Sequence, residues 1–427
     1  MSLALLTLVV IFLLLLLCGL PIAFNLLVSS MAYMLVRGHD LMIMGQKMYE
    51  GMSSFSFLAV PFFVITGQLM LKGGLLETLI DFVNVFFGRF KGAVAIVTIG
   101  AALLMGAIVG LAVASAAALG VFLIPMMKKE GYSSPFAAAV MSSASLLGPI
   151  MPPSVLMIMY CIAVGRTSIA GLFLAAVIPA FLIAGVQMLV ANRVAKKRDY
   201  PSYPTATAAQ KKRAVIRAIP ALFLPVIILG GIFGGIFTIS EASAAAVFYS
   251  FMVAAFVKKT IKLRDAPGIF MESALTSGLV LILAGAGSDM AWAIANERVL
   301  SSIIGPLSTI PPWLFLLMVN IILLINGCFM DDYASVVILA PIIAPVAWEL
   351  GIEPLHIAAV ICINLVIGLA TPPFGITLFV TSPIAKVKIE DTVREAIPFL
   401  VVTIGVLFLI TFVPETCLFL PRLFGYI

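Results

Sequence analysis

Apolar residues run in blocks of eighteen or more along almost the whole chain, with charged residues confined to the gaps. Helices of that length match the hydrocarbon thickness of a bilayer. Strict apolar–polar alternation is absent. Of the two structures that satisfy their backbone hydrogen bonds inside lipid, a helical bundle is therefore expected rather than a β-barrel. The opening block, MSLALLTLVVIFLLLLLCGL, has no Lys or Arg before Arg37. It lacks the basic start of a cleaved signal and reads as the first permanent span.

Two blocks are interrupted by Gly and Pro: LLGPIMPPSVLM at residues 146–157 and VIGLATPPFGIT at residues 366–377. Their offset, 366 − 146 = 220, recurs. Aligned without gaps, Gly110–Ser154 and Met330–Phe374 share eleven of 45 positions, where composition alone would give roughly four. The same offset pairs Gly67 with Gly287 and Met70 with Met290. Residues 1–192 and 218–427 thus read as two copies of one unit, joined by a basic, cytoplasmic linker at 193–217.

Charge decides how the copies are oriented. Between Lys91 and Lys128 lie 36 uncharged residues, short of two full spans of about 20 each. Both ends are basic, so both belong on the cytoplasmic side. This stretch reads as a re-entrant hairpin over about 92–127, followed by a broken helix over about 132–165. The second copy repeats the pattern, with a hairpin at about 312–348 and a broken helix at about 355–385. No basic residue flanks that hairpin closely, with Glu349 and Glu353 at its exit, so its base is expected outside. Five crossings per copy, with single spans such as 273–295, put both termini in the periplasm. The fold class expected is an all-α polytopic membrane protein of two inverted-topology repeats, each with a re-entrant hairpin and a broken helix.

The 63% hydrophobic content and mean hydropathy of +1.22 exclude a soluble protein. The net charge of +6 then reflects basic cytoplasmic loops rather than nucleic-acid binding. Five scattered cysteines without CxxC spacing read as small buried hydrophobes. His39 and His356 lack zinc-site spacing.

Proline forces the interrupted helices to unwind, and unwound backbone at membrane depth is tolerated only where it is buried or lines a cavity. Freed carbonyls suit Na⁺, and helix N-termini suit carboxylates. Matched interruptions in inverted repeats therefore point to a secondary transporter with its site at the midplane. Candidate Na⁺ positions are Gly110, Ser115 and Gly148 in the first copy, and Asp331, Asp332, Ser335, Gly368 and Thr371 in the second. Asp331 or Asp332 could equally cap a half-helix. Candidate substrate positions are Pro153, Ser154, Gly375 and Thr377, with Arg298 as a possible partner for a carboxylate. Asp289 and Glu241 read as span-end residues. An intramembrane aspartyl enzyme is disfavoured, because its two acids would sit on facing helices rather than next to each other.

GLPIAF (19–24), VPFFVITGQLM (60–70), GPIMPPS (148–154), GIFTISEASA (235–244), FMDDYASVVILAPIIAPV (329–346) and NLVIGLATPPFGITLFV (364–380) occur in order. With these motifs the chain resembles, over essentially its full length, the large membrane (DctM-type) subunit of tripartite ATP-independent periplasmic (TRAP) transporters. The resemblance implies a Na⁺-driven, elevator-type importer of organic acids such as sialic acid or a C4-dicarboxylate, with no organic cofactor, in the bacterial inner membrane. It also implies two partners, a small four-helix membrane subunit and a periplasmic substrate-binding protein. Helices at about 75–88 and 295–305 would be interfacial arms, and the family's hairpin-tip Asp falls on Asp331. The family's serine-rich first tip, GxxSGSSxAD, is replaced here by Val109, Gly110, Leu111 and Ala112, with Ser115 for the acid. A self-sufficient Na⁺–carboxylate symporter of the same architecture remains the alternative reading.

Overall fold

In the computed structural model, which describes residues 2–297 and 310–427, all regular secondary structure among the described residues is helical. The chain opens with α1 (Leu3–Leu17), α2 (Ile22–Arg37), α3 (Met42–Met52), α4 (Ala59–Lys72) and α5 (Leu76–Phe87). Then come α6 (Ala93–Val109), α7 (Ala112–Lys129), α8 (Ser134–Ser145), the single turn α9 (Leu147–Ile150), α10 (Val155–Val164) and the long α11 (Ile169–Lys197). The second half contains α12 (Ala208–Pro225), the short α13 (Gly231–Phe233), α14 (Ile239–Met252), α15 (Ala266–Asn296), α16 (Pro312–Gly327) and α17 (Asp332–Glu349). It closes with α18 (Pro354–Gly368), α19 (Ile376–Ala385), α20 (Ile389–Phe412) and α21 (Glu415–Leu423). Among the described residues, eight helices are long and apolar enough to cross a membrane, and the bent pair formed by 134–150 and 155–164 makes up to nine.

The expected hairpins are α6–α7 and α16–α17, and the expected broken helices are α8–α10 and α18–α19. The arms α6 and α16 have 17 and 16 residues. At 1.5 Å per residue each is about 25 Å long, shorter than the hydrocarbon core. Local chemistry repeats with the sequence. Gly131 and Gly351, one residue number 220 above the other, both end a hairpin with positive φ (85° and 77°), a conformation glycine adopts without strain. Each is followed by an extended cap residue, Ser133 or Glu353, that opens the broken helix.

The 29-residue α11 shows how the hairpins are oriented. At its C-terminal end, Asp199 accepts an ion pair from Lys91 at the start of α6 (2.6 Å), and Tyr200 bonds Ser133 just beyond α7. Lys91 holds the exposed Asp199 carboxyl below the usual range, by hydrogen bond and charge. At the N-terminal end, the Arg166 guanidinium lies over the Trp348 ring of the second hairpin, 5.7 Å from its centroid. The bases of the two hairpins therefore stand at opposite ends of one membrane-long helix. They enter the molecule from opposite faces.

All residues of α6 except Leu104, and all of α18 except Pro354, are buried. These helices form the centre together with α8. The copies interlock there: α19 packs on α7 and α8 of the first copy, while α10 packs on α17 of the second. Outside this centre, α1 packs on α2, α2 and α3 on α15, and α4 on α14 and α15. The half-buried amphipathic α5 runs between α6 and α12. Glu297, just past α15, ties the periphery together by accepting hydrogen bonds from Ser2, Tyr33 (3.0 Å) and Arg37 (2.7 Å).

The structure changes several boundaries. The span expected at 273–295 begins earlier, at Ala266. The join at 193–217 is mostly helical. α11 runs to Lys197 and α12 starts at Ala208, where Thr207 and Gln210 form a capping box. Cys161, Cys362 and Cys417 are buried, but Cys18 is exposed and Cys328 half-buried, because they sit at the ends of α1 and α16 rather than in packed interior. Of the two expected arms, α5 is present, and residues 298–305 of the other lie outside the described residues.

Candidate functional site

The first hairpin turns on Gly110, which has φ 67°, and on Leu111, which is extended. A β-carbon on Gly110 would stand 2.6 Å from the Pro153 carbonyl oxygen. One on Gly148 would stand 3.0 Å from both the Leu111 carbonyl oxygen and Ser115 Oγ. At Gly110 only glycine allows the approach, at Gly148 a side chain would crowd its neighbours, and both bring the tip directly onto the unwound Pro152–Ser154 stretch. Ser115 Oγ is buried without a hydrogen-bond partner among the described residues. The sequence candidates Gly110, Ser115 and Gly148 thus converge, with Pro153 and Ser154 beside them, in a setting that offers oxygen atoms and no cation. Ser154 also caps α10, its hydroxyl accepting from Met157 N at 3.4 Å.

The second hairpin turns through residues 328–331. Asp331 is the N-cap of α17 and Asp332 its first residue, and both carboxylates accept from Tyr333 N, at 3.2 and 3.1 Å. The Ser335 hydroxyl donates to the Asp331 carbonyl oxygen (2.7 Å) and accepts from the Asn326 amide. Gly368 lies against Gly327, so closely that a β-carbon on it would be 2.5 Å from the Gly327 Cα. Asp331, Ser335 and Gly368 thus belong to one tip–break junction, equivalent to that of the first copy. Thr371 spends its hydroxyl on the Ile367 carbonyl (2.9 Å). Thr377 is buried, donates to the Leu369 carbonyl (3.0 Å), and is 2.7 Å from Ser142 Oγ of the first copy.

A cavity of about 420 Å³ opens where the two tips face α15. Leu111–Ala114 of the first tip, Asp331–Tyr333 of the second, Leu369 of the second break, and Thr276, Leu279 and Leu283 of α15 line it. The wall is mostly aliphatic, with its carboxylates gathered at the second tip. Pro153, Ser154, Gly375 and Thr377 do not line it, and Arg298 lies outside the described residues. The α15 wall was not legible in the sequence, because Thr276, Leu279 and Leu283 look like any span residues and reach the site only through packing. Glu241 does stand at a span end, completing a capping box with Thr238. Asp289 does not. It lies seven residues before the end of α15 at Asn296 and is fully buried. Among the described residues, no group of His, Cys, Asp and Glu could hold a metal of the zinc type.

Hairpins entering from opposite faces, two interrupted helices and a shared central cavity define a polytopic membrane transporter. The particular family follows from comparison: the chain belongs to that described as "Tripartite ATP-independent periplasmic transporter, DctM component", which it matches over residues 9–416. It is 39% identical to the uncharacterized protein YgiK of Salmonella typhimurium, covering 95% of this chain and 94% of that one. Identity is 38% to the C4-dicarboxylate TRAP transporter large permease protein DctM of Pseudomonas aeruginosa, over 89% of each. The sialic acid TRAP transporter large permease protein SiaM of Vibrio cholerae is 34% identical, over 96% of this chain and 97% of that one. Among solved structures, the YdaH transporter of Alcanivorax borkumensis shares the fold, with a TM-score of 0.60 at 16% identity over 87% of this chain and 90% of that one.

Proposed function

We propose that this chain is the large transmembrane subunit of a Na⁺-coupled importer of an organic acid. It works with a small four-helix membrane subunit and a periplasmic binding protein in the bacterial inner membrane. The observation that carries this reading is the junction of each hairpin tip with an unwound helix, on both sides of one cavity. Each junction gathers oxygen atoms, Ser115 and the Leu111 and Pro153 carbonyls in the first, Asp331 and Ser335 in the second. Such oxygens suit a small hard cation held by unwound backbone. A Na⁺ bound at the second tip would neutralise Asp331 and so make the neighbouring cavity acceptable to an organic anion. The binding energy of ion and substrate is then linked, which is what coupling requires.

The interlocked centre, α6–α10 with α16–α19, is the unit that would move as an elevator. The peripheral α1–α4 and α12–α15 would be its scaffold. The relatives' names supply the substrate candidates, a C4-dicarboxylate and sialic acid.

Proteoliposome uptake under an inward Na⁺ gradient tests the reading, with labelled succinate and sialic acid. The chain is measured alone and with both partners. Uptake that needs Na⁺ and all three components is the expected result. Uptake by the chain alone would replace it with a self-sufficient symporter, and uptake indifferent to Na⁺ would remove the coupling.

A further inference from the structure

α15 has two working faces. One lines the central cavity through Thr276, Leu279 and Leu283. The other is wedged between α2 and α3. Gly285 lies against Met48 and Met52, and Ser288 lies on Gly51. One helical turn around, Ala286, Met290 and Ala293 pack with Leu26, Tyr33 and Met34 of α2. Asp289 falls between these two stripes, since 285, 286 and 293 are its neighbours at helical spacing. It is 0% exposed, and neither carboxylate oxygen has a hydrogen-bond partner among the described residues.

A buried carboxylate needs a cation, a set of donors or a proton. Cations on the surrounding helices are engaged elsewhere. Arg37 of α2 pairs with Glu297 (2.7 Å), Lys47 of α3 with Glu50 (2.7 Å) and Lys72 of α4 with Glu272 (2.8 Å). The other titratable groups on the packed elements are Tyr33 on α2, Tyr49 on α3, Tyr160 and Cys161 on α10, and Asp332, Tyr333 and Glu349 on α17, with Asp331 at its cap. His39, in the loop after α2, contacts Asn296 (3.1 Å), and Arg264 and Asp265 stand at the far end of α15. None of these bonds Asp289. Asp289 as a bare carboxylate therefore has neither a cation nor a donor to compensate it among the described residues.

A second unpartnered polar group lies on the adjoining helix α2. Tyr33 and Arg37 reach Glu297, so α2 and α15 run side by side in the same direction. Stepping back seven residues from Arg37 gives Ser30, and eight from Glu297 gives Asp289. Ser30 Oγ is also buried and without a partner. Neither buried group is compensated by a partner among the described residues, which disfavours the anionic form of the acid.

We infer that Asp289 is a proton-binding site built into the wall between α15, α2 and α3, distinct from the ion positions at the hairpin tips. The proton is held while that wall is packed and is released when water enters it. Because the same helix forms one side of the central cavity, loss of the proton loosens the surface against which the second hairpin rests. Val337 of α17 already fills the space beside Gly287.

The test is an infrared difference spectrum of the full chain in lipid nanodiscs at neutral pH, parent minus Asp289→Asn. Asparagine has nearly the shape of the neutral acid, so the variant should fold. The expected result is the loss of one neutral-carboxyl C=O band, the same in Na⁺ and K⁺ buffers. Loss of a carboxylate band instead would overturn the inference. So would a band that disappears when Na⁺ replaces K⁺, which would make Asp289 a cation ligand. Melting temperature gives an independent reading. A proton held by the folded chain and given up on unfolding makes stability fall as pH rises. The parent should therefore lose stability relative to Asp289→Asn as pH rises from about 4, the ordinary value of an unfolded Asp carboxyl. Parallel pH dependences in the two proteins would likewise overturn it.

Discussion

Ser115 and Ser335 occupy equivalent positions, one turn into the second arm of their hairpins, yet among the described residues only Ser335 has hydrogen-bond partners. Removing the Ser115 hydroxyl breaks no bond within the protein. Ser115→Ala should leave the melting temperature unchanged while raising the Na⁺ concentration for half-maximal uptake, if this oxygen serves the ion. An unchanged Na⁺ requirement would assign the first site to carbonyls alone. Asp331 combines two jobs, capping α17 and carrying charge into the tip. Asn caps about as well as Asp, so Asp331→Asn separates them. Uptake should fall by at least about ten-fold, equivalent to about 1.4 kcal/mol, with little change in melting. Asp331→Ala should cost about 1 kcal/mol of stability besides. Nearly equal melting of the two variants would show that the cap contributes little.

At the scale of elements, the hairpins are fixed by close backbone approach. Gly368 meets Gly327 across α18 and α16, and the obstructing atoms are main chain that cannot swing away. Gly368→Ala should therefore destabilise the protein by about 1–3 kcal/mol, the range for overpacking a core. Gly185, in the middle of α11, has open space where a methyl would go, and Gly185→Ala should be neutral or slightly stabilising. Thermal denaturation in detergent compares the two, and equal shifts would contradict the packing argument. The anchor at the end of α15 makes a pH-dependent prediction. Hydrogen bonds from Arg37, and then Ser2, hold Glu297 down to about 2, against an ordinary value of 4.5. A depressed carboxyl stabilises the fold above its unfolded value and loses that contribution as it takes up its proton. Glu297→Gln should thus melt lower than the parent at neutral pH. The difference should close as pH falls from about 4.5 towards about 2.

For the whole molecule, the decisive question is whether the interlocked centre moves against the periphery. Val113 lines the cavity at the first tip and is exposed enough to be reached by reagent. A Val113→Cys chain in sealed vesicles should react with a membrane-impermeant maleimide at one rate in K⁺. A different rate is expected once Na⁺ and substrate are present, with Cys18 and Cys328 replaced to lower the background. Identical rates under all conditions would argue against an elevator motion of this unit.

Much of this architecture was written in the chain before any coordinates. The 220-residue offset, the paired prolines and the uncharged stretch between Lys91 and Lys128 determined two hairpins and two broken helices in opposed copies. These signals are local: proline cannot continue a helix, and too few apolar residues cannot cross a bilayer twice. The same local logic singled out Gly110, Gly148 and Asp331 as candidates, because a glycine beside a helix break or an acid at membrane depth stands out wherever it occurs. Only the tertiary structure decided that Ser115 is unpartnered while Ser335 is not, that α19 crosses onto α7 and α8, and that α15 supplies a cavity wall. It also decided that Asp289 is sealed between helices instead of reaching a membrane surface. Those facts depend on which residues far apart in sequence share a surface. A span's own pattern of apolar residues shows that it is buried in something, but not whether its neighbour is lipid, a methionine or another copy's hairpin.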